Sequence, residues 1–391
     1  MSDRTQHALG PHFWLNWQAQ RIGQPARTNS RTHDILIQPL WQEYGLYSDA
    51  RFTGELDFGP YRLLLAFAPR LAELGRAVLT LVLRTHDHLL DPSSEPLDRE
   101  RQDVEGFAGG DLGDQLSSLL ALALARRVRS GGVTRRAFED APEGKPFLGW
   151  HHPPVLVAPV GQAMVPSIAD EASLDDARPY LDAYAELDGA RAVVVQRAAH
   201  QYADALWWAD ADPRIAWIKL FGALEAAANQ WAAELDPVEQ LKRVNGPFYG
   251  ELKRKAPAAI DIVARRLSRT LGAERKLLDF VVAHAPDPPQ PRPQWGQVDW
   301  TDLEPVLRVL YDHRSRDLHG GIPFPDPLCE PPELDHNGIA AEAFAALAAS
   351  SGGGTWPQER LPMYLHSFVS LVGGALRRWW LTLPEQGSSD P

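Results

Sequence analysis

The period of the apolar residues changes near residue 175, and this change restricts the fold more than any other feature of the chain. Before it, short apolar runs bounded by Gly, Pro and Asp are typical of strands: HDILIQPL, YRLLLAFA, AVLTLVLRT and PPVLVAPV. After it, apolar residues recur every three or four positions, which is typical of helices. The sequence therefore predicts an α+β protein. We expect a mixed α/β region over residues 1–175, an all-α helical bundle over 176–385 and a disordered tail over 386–391.

One helix is predicted within the N-terminal region, in the segment DLGDQLSSLLALALARRVRSGG. Asp111 or Asp114 is available as its N-cap, and a glycine pair supplies a stop. Arg126, Arg127 and Arg129 are expected in its last turns, where cations favour the helix dipole. Further helices are predicted over 177–209, 213–234, 257–284, 299–319 and 362–382. The Pro-rich and Gly-rich segments APDPPQPRPQ, IPFPDPLCEPPELDHNG and SSGGGTWP are expected to be connectors.

The overall charge excludes attraction of the whole molecule to nucleic acid. The chain has 39 Lys and Arg against 51 Asp and Glu, a net charge of −12, so a polyanion partner needs a local basic patch. The single cysteine, Cys329, excludes an intramolecular disulfide and a multi-cysteine zinc site. No signal-peptide pattern and no apolar run of about 20 residues is visible. We therefore expect a cytoplasmic protein that does not enter a membrane.

A local basic patch is found between residues 241 and 276, where basic residues outnumber acidic ones. Such a segment can attract a phosphate backbone even in an acidic protein. The alternative is a solvated helical face without a ligand. The candidate RNA-binding residues are Lys242, Arg243, Lys253, Arg254, Lys255, Arg265 and Arg266.

Polar residues interrupt the apolar faces of two predicted helices. Leu303, Leu307 and Leu310 form one face, and the next positions on it are Arg314 and Leu318. In the helix 213–234, Glu225 and then Asn229 interrupt the apolar face in the same way. Burying an unpaired guanidinium is costly, so Arg314 requires an anionic partner or a wet cleft. Both a structural Glu225–Arg314 ion pair and a functional cleft satisfy that requirement.

The stretch YDHRSRDLHGG ends the helix that carries Arg314. His319 follows Arg314 by five residues, which is roughly 140° around a continuous helix. The two side chains therefore meet only if the last turn distorts or a second subunit contributes one of them. Gly320 and Gly321 supply a left-handed stop for the helix.

This stretch, together with the upstream helix WIKLFGALEAAANQW, resembles the HEPN superfamily, and its ApeA-like branch in particular. The family motif, Arg, four to six residues, His, is matched by Arg314, SRDL and His319. The resemblance covers about residues 180–382. Ser315 departs from it, because HEPN nucleases often carry Asn, Asp or His after the motif arginine.

The resemblance implies a homodimeric, metal-independent endoribonuclease without a cofactor. Such enzymes leave 2′,3′-cyclic phosphate and 5′-hydroxyl ends on single-stranded RNA. His319 would be the general acid or base, Arg314 would stabilise the phosphorane, and Glu225 or Asn229 would orient one of them. The family association implies phage defence or toxin–antitoxin control, with an antitoxin or a phage-derived trigger as a further partner.

Two other functions stay open from the sequence. The first is a catalytically inactive HEPN module that dimerises or regulates within such a system, with Arg314 and Glu225 as a structural pair. The second is a metal hydrolase, because histidine and carboxylate side chains make metal sites. Its candidate ligands are His86, Asp87, His88, Asp91, His151, His152, His33 and Asp34, none of them in a known metal-motif spacing.

Overall fold

The computed structural model describes residues 10–24, 41–66, 77–86, 88, 107–137, 147–148, 151–159, 161–233, 236–267 and 272–387. Within them the chain is α+β, with strands concentrated in the N-terminal half and helices in the C-terminal half, which confirms the predicted fold class. The chain divides into two compact units. The first comprises Met1–Ala211 and Trp379–Pro391, and the second comprises Asp212–Arg378.

The first unit is built on an antiparallel sheet of six strands in the order β3-β4-β5-β1-β6-β7. These strands are β1 (Trp41–Ser48), β3 (Leu56–Phe58), β4 (Tyr61–Leu65), β5 (Val78–His86), β6 (Arg129–Ala137) and β7 (Phe147–Leu148). Two further short strands, β2 (Phe52–Thr53) and β8 (Ala172–Ser173), form a parallel pair. The helices of this unit are α1 (His12–Arg21), α2 (Leu112–Leu124), α3 (Arg178–Ala185) and α4 (Gly189–Trp208).

Helix α2 packs on one face of this sheet, over β1 and β6. Gly113 permits the close approach, because a Cβ there would lie 2.6 Å from both the Ser130 hydroxyl and the Tyr44 ring. The predicted N-terminus is confirmed, since Asp111 caps the helix in a reciprocal capping box with Asp114. Apolar side chains fill nearly the whole circumference of the helix, so it is buried from end to end.

The predicted end of this helix was wrong. It stops at Leu124, because Ala125 adopts the left-handed conformation with φ 52°. Arg126 and Arg127 therefore follow the helix rather than occupying its last turns, and Arg129 begins strand β6. Arg129 instead pairs with Tyr47 of β1, and Arg127 forms the buried ion pairs described below.

The predicted strands have mixed outcomes. YRLLLAFA and AVLTLVLRT contain β4 and β5, which confirms both predictions within the described residues. PPVLVAPV forms no strand from residue 153 to 159, and HDILIQPL lies outside the described residues. Strand β1, one of the two central strands of the sheet, and its neighbour β6 were not predicted.

Among the described residues, the helices of the second unit are accompanied by one hairpin, made by β9 (Ala348–Ser351) and β10 (Gly354–Pro357), which overlaps the predicted connector SSGGGTWP. Its helices are α5 (Pro213–Ala233), α6 (Pro237–Val244), α7 (Gly246–Lys255), α8 (Ile260–Leu267), α9 (Ala273–His284), α10 (Glu304–Gly320) and most of α11 (Leu365–Gly387). Helix α5 packs against α9 and α10. Its core includes Trp217, whose ring stacks on Phe324 and Phe368 with centroids 5.5 and 4.9 Å away.

The first compact unit extends to Ala211, beyond residue 175, and the domain boundary near residue 175 stays a prediction. Helices α3 and α4 belong to the first unit because α4 packs on α2. The buried amide of Gln196 on α4 donates to the Gln115 carbonyl at 2.9 Å and to the Ser118 hydroxyl at 2.7 Å. The helical period therefore begins before the change of unit.

The longest helices, α5 and α11, have 21 and 23 residues. In the described part of the chain, neither these nor any other helix is both long enough and apolar enough to cross a bilayer. Helix α11 includes residues 386 and 387 of the predicted disordered tail, and residues 388–391 lie outside the described ranges.

Candidate active site

Helix α10 carries the motif arginine and histidine and is regular to its end. It runs from Glu304 to Gly320, and Gly321 closes it in the left-handed conformation with φ 65°. The N–H group of Gly321 donates to the Asp317 carbonyl, at the ordinary helical spacing of four residues, and that of Ile322 donates to the Arg316 carbonyl, both at 3.2 Å. The last turn is therefore not distorted.

The buried face of α10 differs in part from the predicted apolar stripe. Leu307 and Leu310 are fully buried, as expected, but the face continues through His313 and Asp317. The prediction that Leu318 lies on this face was wrong, because that side chain is 46% exposed. At 100° per residue, Asp317 lies closer than Leu318 to the centre of the buried face. Arg314 lies at the edge of that face and is 16% exposed.

Arg314 forms an ion pair with Glu225 of α5, with 2.7 Å between the guanidinium Nη2 and the carboxylate. The guanidinium also lies 5.5 Å from the centre of the Tyr311 ring. Its Nε is buried and has no hydrogen-bond partner among the described residues. Burial raises the pKa of Glu225 above its ordinary value, and this effect outweighs the opposing charge and hydrogen bond of Arg314. The two helices thus bring together Arg314 and Glu225, as the sequence predicts.

His319 lies in the last turn of α10 and is exposed. At 100° per residue, it is about 140° around the helix from Arg314 and opposite the buried face. No hydrogen bond joins it to any residue in the described ranges. Since the last turn is regular, one chain does not bring the imidazole to the guanidinium. The sequence allowed two ways for these side chains to meet, a distorted last turn or a second subunit, and only the second is compatible with a regular helix end.

Asn229 lies one turn after Glu225 on α5 and is exposed. It makes no hydrogen bond to another described residue. The structure therefore places Asn229 on the same side of α5 as Glu225 but gives it no contact with Arg314 or His319.

Other polar residues of the motif stretch have partners that the sequence reasoning missed. The buried carboxylate of Asp317 pairs with Arg214 of α5. Asp312 pairs with Arg360 at 2.5 Å, and His313 Nε2 donates to the Arg360 carbonyl at 2.8 Å. Asp317 could have been found by the argument that selects Arg314, because both interrupt the same face of the helix. Together these contacts fix the end of α10 against α5 and the segment that precedes α11.

The predicted RNA-binding residues lie on three short helices, α6, α7 and α8, which pack against one another. We call residues 237–267 the basic arm; it contains seven basic and three acidic residues. Lys242 and Lys255 form exposed ion pairs with Glu239 and Glu251, at 3.7 and 2.6 Å. The side chain of Arg243 lies outside the described residues. The other basic side chains of this arm are exposed: Lys242, Lys253, Arg254, Lys255, Arg265 and Arg266.

The described residues do not support the metal-hydrolase alternative, because they contain no group of three or more His, Cys, Asp or Glu side chains that could hold a metal ion. His88 Nδ1 lies 2.9 Å from the carbonyl oxygen of Gln24, and His151 Nε2 lies 2.7 Å from the Tyr47 hydroxyl. Of the other proposed ligands, His33, Asp34, Asp87 and Asp91 lie outside the described residues.

Comparison of the chain with family models, curated proteins and solved structures found no match. Function is therefore inferred from the side chains at the end of α10 and from the resemblance of the motif stretch.

Proposed function

We propose that the chain is a metal-independent endoribonuclease of the HEPN type, acting as a homodimer on single-stranded RNA. The observation that supports this most directly is the arrangement on α10. Glu225 holds the guanidinium of Arg314 at the edge of the buried face, while His319 is presented to solvent on the other side of the same helix. Such an arrangement suits a composite site, in which one copy supplies the guanidinium and the other copy supplies the imidazole.

Each residue has a role suited to its chemistry. His319 exchanges protons with the 2′-hydroxyl or the leaving 5′-oxygen, because imidazole titrates near neutral pH. Arg314 stabilises the negative charge on the equatorial phosphate oxygens as the 2′-oxygen attacks. Glu225 is a positioning residue that fixes the guanidinium. The products are a 2′,3′-cyclic phosphate and a 5′-hydroxyl, and no metal is needed.

The basic arm would hold the RNA backbone outside the reacting phosphate. Its exposed lysines and arginines supply positive charge in a protein of net charge −12. Binding through them is expected to weaken as salt rises. The proposed biological setting is phage defence or toxin–antitoxin control, in which an antitoxin or a phage-derived trigger governs the activity.

The decisive experiment is subunit complementation. Purified protein is incubated with single-stranded RNA in EDTA, and the termini of the products are identified. Arg314→Ala and His319→Ala are each expected to abolish cleavage. A mixture of the two variants, after subunit exchange, is expected to regain about a quarter of wild-type activity, because half of the dimers are mixed and one of their two sites is intact.

Arg308→Ala is the matched control. Arg308 is also an arginine of α10 and precedes a histidine, His313, by five residues, which is the motif spacing, yet it pairs with Glu304. This variant is expected to cleave RNA like wild type. A His319→Ala protein that stays folded and dimeric and still cleaves RNA would end the proposal. Loss in both single variants without recovery on mixing would place the site within one chain.

The ion pair of Arg314 favours a second candidate function, one without catalysis. Its guanidinium is already paired with Glu225, and the imidazole is on another side of the helix. In this alternative the helical unit is an inactive HEPN module for dimerisation or regulation. Wild-type protein that forms a dimer but leaves single-stranded RNA intact in EDTA, with or without its trigger, would support it.

A further inference from the structure

The face of the six-stranded sheet opposite α2 carries a charged row centred on β1. Tyr44 points toward α2, so its neighbour Glu43 points to the opposite face. Glu43 is directly opposite Arg84 of β5 on one side and Arg135 of β6 on the other. Residues opposite one another on neighbouring strands share a face, so both arginines lie beside the glutamate.

Glu43 fixes both guanidinium groups. Its carboxylate, which is 4% exposed, accepts hydrogen bonds from Arg84 Nε and Nη2 at 3.0 and 2.7 Å. It also accepts from Arg135 Nε and Nη2 at 2.5 and 2.9 Å. Because one oxygen bonds both Nη2 atoms, these are at most about 5.6 Å apart, the sum of the two bonds. Burial raises the pKa of Glu43, but the hydrogen bonds and charges of Arg135 and Arg84 outweigh it and lower that pKa, so the carboxylate is ionised at neutral pH.

The arginines retain donors for another anion. Each guanidinium has five N–H groups and uses two of them on Glu43. Their side chains are 36% and 44% exposed, and neither Nη1 atom has a hydrogen-bond partner within the described part of the chain. The Trp41 ring, 5.0 and 5.7 Å from the two guanidinium carbons, further restricts both side chains. Two positive charges with one negative charge leave one charge unbalanced.

The surrounding charge favours a single phosphate over a long polyanion. Arg62 of β4 is opposite Arg84 and continues the row. Its guanidinium, however, is already paired with Glu55 and Asp57, at 3.0 and 3.3 Å. These two exposed carboxylates would repel the neighbouring phosphates of a nucleic-acid strand. Positive charge is therefore left unpaired at one place in the row.

We propose that Arg84 and Arg135, held by Glu43, form a binding site for the phosphate group of a small phosphorylated ligand such as a nucleotide. Paired guanidinium groups match the oxygens of phosphate better than any other side chain does, and here they are fixed before the ligand arrives. The site lies in the first unit and gives that unit a ligand-binding role independent of the nuclease proposed for the helical unit. It requires neither Arg314 nor His319.

The test is calorimetric titration of the full chain at low ionic strength with adenosine monophosphate, inorganic phosphate and adenosine. Saturable binding of the first two and none of adenosine is expected. Binding of phosphate alone would assign the site to free phosphate rather than to a nucleotide and would overturn the nucleotide part of the proposal. Arg84→Gln and Arg135→Gln are each expected to weaken phosphate binding at least about tenfold, because each removes charge-assisted hydrogen bonds.

Arg62→Gln is the matched control, since it removes an arginine from the same row whose charge is already paired. It is expected to leave the affinity within about twofold. If a single Gln variant unfolds, Glu43→Gln combined with Arg84→Gln removes one charge of each sign and is expected to abolish binding in a folded chain. No saturable binding by wild type, or equal affinity in all three arginine variants, would overturn the proposal. A single-stranded oligonucleotide is also titrated into the His319→Ala chain, where the basic arm is expected to bind it. Oligonucleotide binding that Arg84→Gln weakens, in a chain that does not bind the mononucleotide, would overturn the proposal and assign the face to RNA.

Discussion

Arg127 of the first unit and Arg314 of the second both follow apolar helical sequence, yet their surroundings differ. Arg127 is 2% exposed and lies between Asp49, at 2.7 Å, and Asp210. Its Nε also donates to the Leu206 carbonyl at 2.7 Å. Arg314 has a single carboxylate partner and an Nε without a hydrogen bond to any described residue.

The difference separates an arginine whose guanidinium nitrogens all donate inside the fold from one that keeps donors unused, as the proposed ligand-binding role of Arg314 requires. Around Arg127, two carboxylates and a carbonyl occupy the guanidinium on several sides, so no substrate can reach it. Around Arg314, one carboxylate orients the group and leaves part of it open. Burial of an arginine does not by itself indicate a function. Buried N–H donors without hydrogen-bond partners are a better indication.

The largest expected effect is loss of stability in Arg127→Met. The substitution leaves Asp49 and Asp210 buried without their cation, and we expect unfolding to become easier by about 3–5 kcal/mol. Urea unfolding followed by tryptophan fluorescence measures it. Arg126→Met is the control, because among the described residues Arg126 bonds only backbone carbonyls, so its substitution should cost no more than about 1 kcal/mol. A similar loss in both variants would remove the distinction.

A smaller effect is expected for Arg314→Met, about 1–2 kcal/mol of stability, between the values for exposed and buried pairs. Glu225 is partly exposed and its pKa is already raised by burial, so it can take up a proton when the guanidinium is removed. RNA cleavage should nevertheless be abolished in this variant. A stability loss equal to that of Arg127→Met, with cleavage retained, would show that Arg314 is also a structural arginine.

The comparison also shows what the sequence can predict about the fold. Helix α2 and its cap follow from local signals, and strands β4 and β5 follow from dense apolar runs. Strand β1 does not, because half of its residues face away from the apolar side and include Glu43. Arg129 and its two following glycines resemble a helix end, but pairing with β1 makes them a strand. Such tertiary pairing is not visible in local sequence.

The site shows the same limit. Arg314 and Glu225 were predicted because each interrupts an apolar face, and their pairing follows from the packing of α5 on α10. The contacts of Asp317 and Asp312 depend on residues far along the chain, Arg214 and Arg360. In the proposed composite site, the role of His319 depends on a second copy, and no property of a single sequence positions that copy.

The smallest expected effect is a pH dependence of stability that arises from Glu225. Burial raises its folded pKa above the ordinary value of 4.5, so the folded chain holds a proton that the unfolded chain has lost. Stability therefore falls as pH rises through the interval between the two pKa values. Glu225→Gln carries no titrating group, and the stability of wild type relative to this variant should decline from pH 4 toward neutral pH. Denaturant unfolding of both proteins at several pH values measures the decline. If the stability of wild type relative to Glu225→Gln instead rises with pH, the charge of Arg314 lowers the pKa of Glu225 more than burial raises it.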